Sequence, residues 1–201
     1  MASLKTRFNA PFNLAAVVLA FCAATPAHAQ EAVLELDPAQ TQVGFSLGDV
    51  LHNVHGMFKL RSGTIEFDPV TGHASGLMVV DATSGDSGSH SRDHKMHKDI
   101  LESTQYPEIN FRPEKVQGQV SPQGDSQVQV LGVFNIHGTG HPLTLAVQVH
   151  RAGSQLTVDT HFAVPYVSWG LKNPSTFVLR VNPTVDIDIH AVGLFKGPAA
   201  P

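Results

Sequence analysis

Histidine is the residue type with the most evident chemical potential in this chain, with 12 copies among 201 residues. His90, His94 and His97 are spaced so that an α-helix would place them on one face. Neutral imidazoles one turn apart can converge on Zn²⁺ or Cu²⁺. The spacing therefore offers a candidate metal site, although a helix that begins as late as Ser91 would leave His90 outside it.

Other catalytic signatures are absent from the sequence. It contains no G-x-S-x-G elbow, no H-E-x-x-H pair, no P-loop and no dinucleotide-binding fingerprint. The one cysteine, Cys22, falls in a segment that we expect to be removed. The formal charge of -4 comes without a clustered basic face, which nucleic-acid binding would need. We therefore expect no enzymatic activity, no cofactor and no nucleic-acid partner.

The first 29 residues have the pattern of a secretory signal peptide. Lys5 and Arg7 precede the apolar run Leu14–Ala24, and Ala27–Ala29 supplies a small-residue cleavage site. The run is shorter than the roughly 20 apolar residues of a membrane-spanning helix. We predict cleavage after Ala29, a single domain over 30–201 without a transmembrane segment, and a periplasmic or secreted location.

Alternation of apolar and polar residues dominates the rest of the chain and predicts an all-β fold. One example is Val43, Phe45 and Leu47, and residues 56–60 and 64–68 form a predicted hairpin that turns at 62–63. A further strand is predicted around 177–181. About eight short antiparallel strands can form a sandwich or a closed barrel, and closure is favoured because it leaves no exposed edge.

One helix is predicted inside this β pattern, at 89–101. It has serine at either candidate N-cap position and an acid in its first turn. Its apolar residues Met96, Ile100 and Leu101 form a small edge that could dock on the barrel.

Several motifs together resemble the YceI family, over about residues 33–194. Each is short, but their combination and order are specific. They are Gly56-x-Phe58, Ser62-Gly63-x-Ile65, Asp68-Pro69, Asp81-Ala82-x-Ser84, Arg92-Asp93, Tyr106-Pro107-Glu108-Ile109-x-Phe111, Gly132-x-Phe134-x-Ile136-His137-Gly138 and His141-Pro142-Leu143-Thr144-Leu145.

The resemblance implies a lipocalin-like extended antiparallel β-barrel in a periplasmic or secreted protein. Members enclose a polyisoprenoid or another long-chain amphiphile and are not generally enzymes. Two positions depart from the family pattern: Lys95 stands where many members have histidine, and 165–170 replaces a common late motif.

A lipid-binding function is the leading hypothesis from this resemblance and from the apolar alternation. The tail would be an isoprenoid, an isoprenoid quinone or a fatty-acid-like chain, held for transport, storage or sensing. A polar or anionic head group would meet Arg92, Lys95 and Trp169. The predicted tail-lining residues are Phe45, Phe58, Phe111, Phe134, Leu145, Phe162, Leu179 and Ile187.

Two alternatives remain open at this point. The first is a metal-binding protein that uses His90, His94 and His97. The second is a barrel with a solid core that serves as an interaction module, because alternation alone cannot distinguish a filled interior from an open one. The sequence also leaves a homodimer open.

Overall fold

The computed structural model describes residues 31–48, 53–176 and 180–197, and most of them form antiparallel strands. The predicted signal peptide lies outside the described residues. The strands are β1 (Ala32–Leu36), β2 (Gln42–Gly48), β3 (Asn53–Phe67), β4 (Ala74–Asp86), β5 (Glu108–Gln117), β6 (Gly124–Ile136), β7 (Thr139–Ala152), β8 (Gln155–Val164) and β9 (Val185–Lys196).

These nine strands form one closed sheet with eight positions around its wall. The order β3-β2-β9-β8-β7-β6-β5-β4 closes because β4 pairs with β3. Strand β1 pairs with the same two neighbours as β2, at the other ends of β3 and β9. β1 and β2 are therefore two halves of one wall position, interrupted at 37–41. The predicted antiparallel barrel of about eight strands is confirmed.

The predicted hairpin at 56–68 is wrong, because β3 runs through Ser62 and Gly63 without turning. Its register against β4 shifts between Met57 and Lys59 and again between Leu60 and Ser62. At the second shift β3 has one residue more than β4, and such a β-bulge exchanges the inward and outward positions that follow it. The break in alternation at Arg61 and Ser62 therefore marks a bulge.

The predicted helix forms at the predicted place, in two short parts. Helix α1 (His90–Lys95) continues into a π-helical turn, Met96–Ile100. A π-helix is wider than an α-helix and is often found at functional sites. Among the described residues, no helix is long and apolar enough to span a membrane.

The two ends of the barrel differ in what fills them. We call the end with the β6–β7 turn at His137 and Gly138 the upper end, and the end with the β7–β8 turn the lower end. The lower half is packed solid around the Phe67–Phe195 pair, whose ring centroids are 6.2 Å apart. Other buried residues of this half are Leu34, Leu36, Leu60, Val128, Leu145, Val147, Val149, Leu156 and Ala191.

Candidate ligand-binding site

The upper half of the barrel encloses an apolar cavity of about 610 Å³. Its wall is formed by the inward-facing residues of the strands around it. The apolar strand residues lining it are Val43, Phe45, Leu47, Val54, Phe58, Met78, Val80, Ile109, Phe111, Phe134, Ile136, Phe162, Val164, Val185, Ile187 and Ile189, and the polar Asn110 of β5 lies among them.

The aromatic rings lie against the wall and leave the centre open. Phe45 and Phe58 pack on each other with centroids 5.3 Å apart. The Phe45 ring occupies the space that a side chain at Gly56 would need, and Phe58 does the same at Gly85. Glycines at these two positions let the rings lie flat on the neighbouring backbone. Because the rings stay at the wall, the interior remains free for a ligand.

The mouth of the cavity carries hydroxyls and two cations. Ser87, Ser89 and Ser91 line it together with Arg92 and Lys95. Within the described part of the chain, the Lys95 ammonium has no hydrogen bond or ion pair, and its side chain is exposed.

Arg92 uses part of its hydrogen-bonding capacity to hold the loop that precedes α1. Its Nε donates to Ser87 Oγ at 2.7 Å, and its Nη2 donates to the Ser87 carbonyl at 2.8 Å. Of the two cations, Lys95 is therefore the freer to meet an anionic group.

Asp93 stabilises the same loop from the other side. Its carboxylate accepts hydrogen bonds from the Ser87 hydroxyl and from the Ser87 amide, the latter at 2.9 Å. Burial raises the pKa of Asp93, but these two bonds and the charges of Arg92 and His97 outweigh it and leave the pKa below its ordinary value. Asp86 holds the same loop, since its carboxylate accepts the Gly88 N–H at 2.7 Å, and neither carboxylate lines the cavity, whereas Arg92 and Lys95 do.

A turn after β8 completes the wall of the cavity. Tyr166 and Leu171 are buried and line it, although neither belongs to a strand. The Tyr166 hydroxyl donates to the Asn182 carbonyl at 2.8 Å, and burial raises its pKa. Sequence analysis missed both residues, since alternation selects strand positions alone. The apolar side chains between Pro165 and Pro174 were the available signal.

Six of the predicted tail-lining residues lie together in the cavity wall. They are Phe45, Phe58, Phe111, Phe134, Phe162 and Ile187, and the predicted head-group residues Arg92 and Lys95 lie at the mouth.

The other three predicted residues are not placed in this site. Leu145 is buried in the solid lower half, below the level of Phe134. Trp169 lies outside the cavity lining and stacks on His141, with centroids 4.0 Å apart and the rings 3° from parallel. Leu179 lies outside the described residues.

The three histidines of the alternative hypothesis do not converge. His97 points back to the barrel, where its Nε2 donates to the Gly85 carbonyl at 2.9 Å and its Nδ1 lies 3.3 Å from Ser103 Oγ. His90 and His94 are exposed on α1. The π-helical turn changes the residue spacing that the prediction assumed. Among the described residues, no group of three or more histidine, cysteine, aspartate or glutamate side chains could hold a metal ion.

Several known proteins are similar to this chain in sequence over most of its length. A UPF0312 protein of Pseudomonas savastanoi pv. phaseolicola is 28% identical over 199 residues, covering 92% of this chain and 97% of the relative. A UPF0312 protein of Vibrio parahaemolyticus is 30% identical over 147 residues, covering 71% of this chain and 76% of the relative.

Solved structures share the fold at lower identity. The crystal structure of Burkholderia cenocepacia BcnA matches with a TM-score of 0.64 at 21% identity, covering 78% of this chain and 98% of that one. A polyisoprenoid-binding domain from Saccharophagus degradans matches with a TM-score of 0.60 at 14% identity, covering 82% and 98%. The family model described as a YceI-like domain matches residues 34–193, and the chain therefore belongs to the YceI-like family.

Proposed function

We propose that this protein is a periplasmic lipid-binding protein. It encloses the tail of a long-chain amphiphile in the upper half of its barrel and has no catalytic role. The observation that carries the proposal is the apolar cavity of about 610 Å³ with two cations at its mouth. The likeness of the fold to a polyisoprenoid-binding domain supports an isoprenoid among the tails, beside a quinone or a fatty-acid-like chain.

The volume of the cavity limits the number of methylene groups that a bound tail can place inside it. A methylene group takes up about as much space as a water molecule, ~30 Å³, so a cavity of this volume holds on the order of 20 such groups. Each buried methylene contributes roughly 0.8 kcal/mol before the costs of association, which are several kcal/mol. A tail of this size is therefore enough for tight binding without any polar contact.

The charge at the mouth favours a head group that is anionic. Lys95 has no partner within the described residues, whereas Asp93 is held by the loop. An ammonium aimed at solvent beside an apolar cavity suits a phosphate, a pyrophosphate or a carboxylate. The lipid would then lie with its tail in the barrel and its head group beside α1.

Native mass spectrometry of the protein isolated from a periplasmic fraction tests the tail. An adduct of lipid mass that organic solvent extracts is expected. Apo mass would contradict the proposal, and a small adduct that a chelator removes would indicate a metal-binding protein instead.

A matched pair of lysine variants tests the head group. Lys95→Ala is expected to weaken binding of a prenyl pyrophosphate and to leave binding of the corresponding prenol unchanged. Lys98→Ala is the control, because Lys98 lies on the same short helical segment and does not line the cavity. Equal loss for both ligands, or equal effects of the two variants, would refute the role of Lys95.

A further inference from the structure

The wall of the cavity has a gap between the upper halves of β7 and β8. The ladder that joins them runs from Ala152–Gln155 to Val147–Thr160 and stops there. At its last rung the Thr160 hydroxyl donates to the Ala146 carbonyl at 2.9 Å. Above that point β7 continues to Thr139 and β8 to Val164, and the described residues show no ladder pair between these two stretches.

The sequence of β7 accounts for the gap. Pro142 lies in the unpaired stretch and has no N–H to donate to a neighbouring strand. Proline is confined to the edges of sheets for this reason. The upper part of β7 therefore behaves as an edge strand inside an otherwise closed barrel.

The turn after β8 covers this gap with side chains. Trp169 N–H donates to the Pro165 carbonyl at 3.1 Å, and Leu171 N–H donates to the Tyr166 carbonyl at 3.0 Å. The Trp169 indole then lies parallel on the His141 ring of β7, with its centroid also 5.9 Å from that of Phe134 in the cavity wall.

The stack holds the turn against β7 through contact between the face of the Trp169 indole and the face of the His141 imidazole. The buried His141 Nε2 has no hydrogen-bond partner among the described residues, so this ring is not tied to the turn by a polar bond. Elsewhere along β7, backbone ladders join the strand to its neighbours. The Trp169 ring lies next to Phe134 and outside the lining itself, so its contact with His141 is the part of this closure that one substitution can open.

We infer that the Trp169–His141 stack closes the side of the cavity and sets the longest tail that the protein accepts. This inference rests on the proposed lipid-binding function. A tail that fills the upper half meets the buried side chains of the lower half, which pack around the Phe67–Phe195 pair and do not line the cavity. A longer tail needs an exit through the wall, and the gap beside Phe134 provides one only when the indole is absent.

The test uses a series of fatty acids of increasing chain length and measures the dissociation constant for each. In the wild type the affinity is expected to rise about fourfold per added methylene until the cavity is full, and then to stop rising. The limit is expected at roughly 20 carbons. In Trp169→Ala the rise should continue beyond the wild-type limit, while shorter chains bind as in the wild type.

Two further variants separate a wall from a general structural role. Trp169→Phe keeps a ring against His141 and should keep the wild-type limit. His141→Ala opens the stack from the other side and should extend the limit even if Trp169→Ala fails to fold.

The outcomes distinguish this inference from the proposed function. If the wild type binds the series and Trp169→Ala or His141→Ala stops at the same length, the inference is overturned and the proposed function stands. If the wild type binds no fatty acid and no prenyl pyrophosphate of any length, both are overturned. If it binds prenyl chains alone, the same variants are compared on a series of prenyl pyrophosphates, and an unchanged length limit again overturns the inference.

Discussion

A single methyl group at Gly56 should disturb both the fold and the cavity. A Cβ at this position would overlap the Phe45 ring and lie 2.5 Å from the Asp86 carbonyl oxygen. The ring could move only toward the cavity, and the carbonyl belongs to the β3–β4 pair of Met57 and Asp86. Overpacking of this kind costs typically 1–3 kcal/mol. Gly56→Ala is therefore expected to lower the free energy of unfolding by about that amount.

The neighbouring strand offers a matched control in Gly44. Its Cβ would lie 3.5 Å from both the Asp188 carbonyl oxygen and Met57 Sδ, which is ordinary contact. Gly44 also has no positive φ, so alanine there reduces the freedom of the unfolded chain and should stabilise by roughly 0.4–1 kcal/mol. Substitution of glycine by alanine should thus lower the free energy of unfolding at Gly56 and raise it at Gly44. The two positions lie on the paired strands β3 and β2, one residue out of register.

Urea denaturation of the lipid-free protein measures both changes. For a domain of this size, 1 kcal/mol corresponds to a shift of about 2–4 °C in Tm, so thermal melting is a second readout. A double-mutant cycle with Phe45→Leu assigns the cause, because a smaller side chain should relieve part of the cost of Gly56→Ala. If Gly56→Ala is as harmless as Gly44→Ala, or if Phe45→Leu brings no relief, the packing argument is wrong.

Two electrostatic predictions concern the surface. Hydrogen bonds from Lys172 and then His137 lower the pKa of Glu102, so its contribution to stability is present at neutral pH and is lost as the pH falls through and below the ordinary glutamate value. In Glu102→Gln the unfolding free energy should fall less steeply as the pH is lowered through this range. An unchanged pH dependence there would show that Glu102 does not contribute in this way. Arg61 pairs with Glu108 Oε1 at 2.6 Å and with Asp81 Oδ2 at 3.5 Å, and the three side chains are 30–45% exposed. Glu108→Ala removes only the shorter pair and should cost less than about 1 kcal/mol in chemical denaturation, and a larger loss would show that this pair is not screened by solvent.

The alternation in the sequence predicts that the phenylalanine side chains of the strands face the barrel interior. Phe45, Phe58, Phe111, Phe134 and Phe162 all line the cavity as the pattern requires. It could not predict the level at which each lies along the barrel axis. That level depends on the register between strands, which is set by long-range pairing and by bulges.

Leu145 illustrates this limit. It has the same alternation as the cavity residues, but its pairing with Val130 places it below the Phe134–His141 pair, inside the solid half. The bulge near Ser62 misled the prediction for the same reason, since an exchange of faces within one strand has the same appearance as a turn between two strands.

Two side chains make contacts that the sequence does not indicate. The head-group contact expected of Trp169 stays a prediction, and its ring lies on that of His141 in the unpaired part of β7. His97 was predicted to share a face with His90 and His94, but the π-helical turn brings its ring to the Gly85 carbonyl. The π-helical turn has no recognisable local signature in the sequence, whereas Pro142 was an available signal for the gap in the wall.

The sharing of one wall position by β1 and β2 has a consequence for how the chain folds. β1 is the first described strand, and it is held between β3 and the end of β9, with Val33 opposite Lys196. The barrel therefore cannot close until its last strand is available, and contacts between residues so far apart in sequence make folding slow. A chain that ends before β9 would expose the edges of β2 and β8 together, and open edges of this kind pair readily with other chains. Truncation at this end should therefore lead to aggregation, and the barrel should refold in milliseconds to seconds only when both of its ends are present.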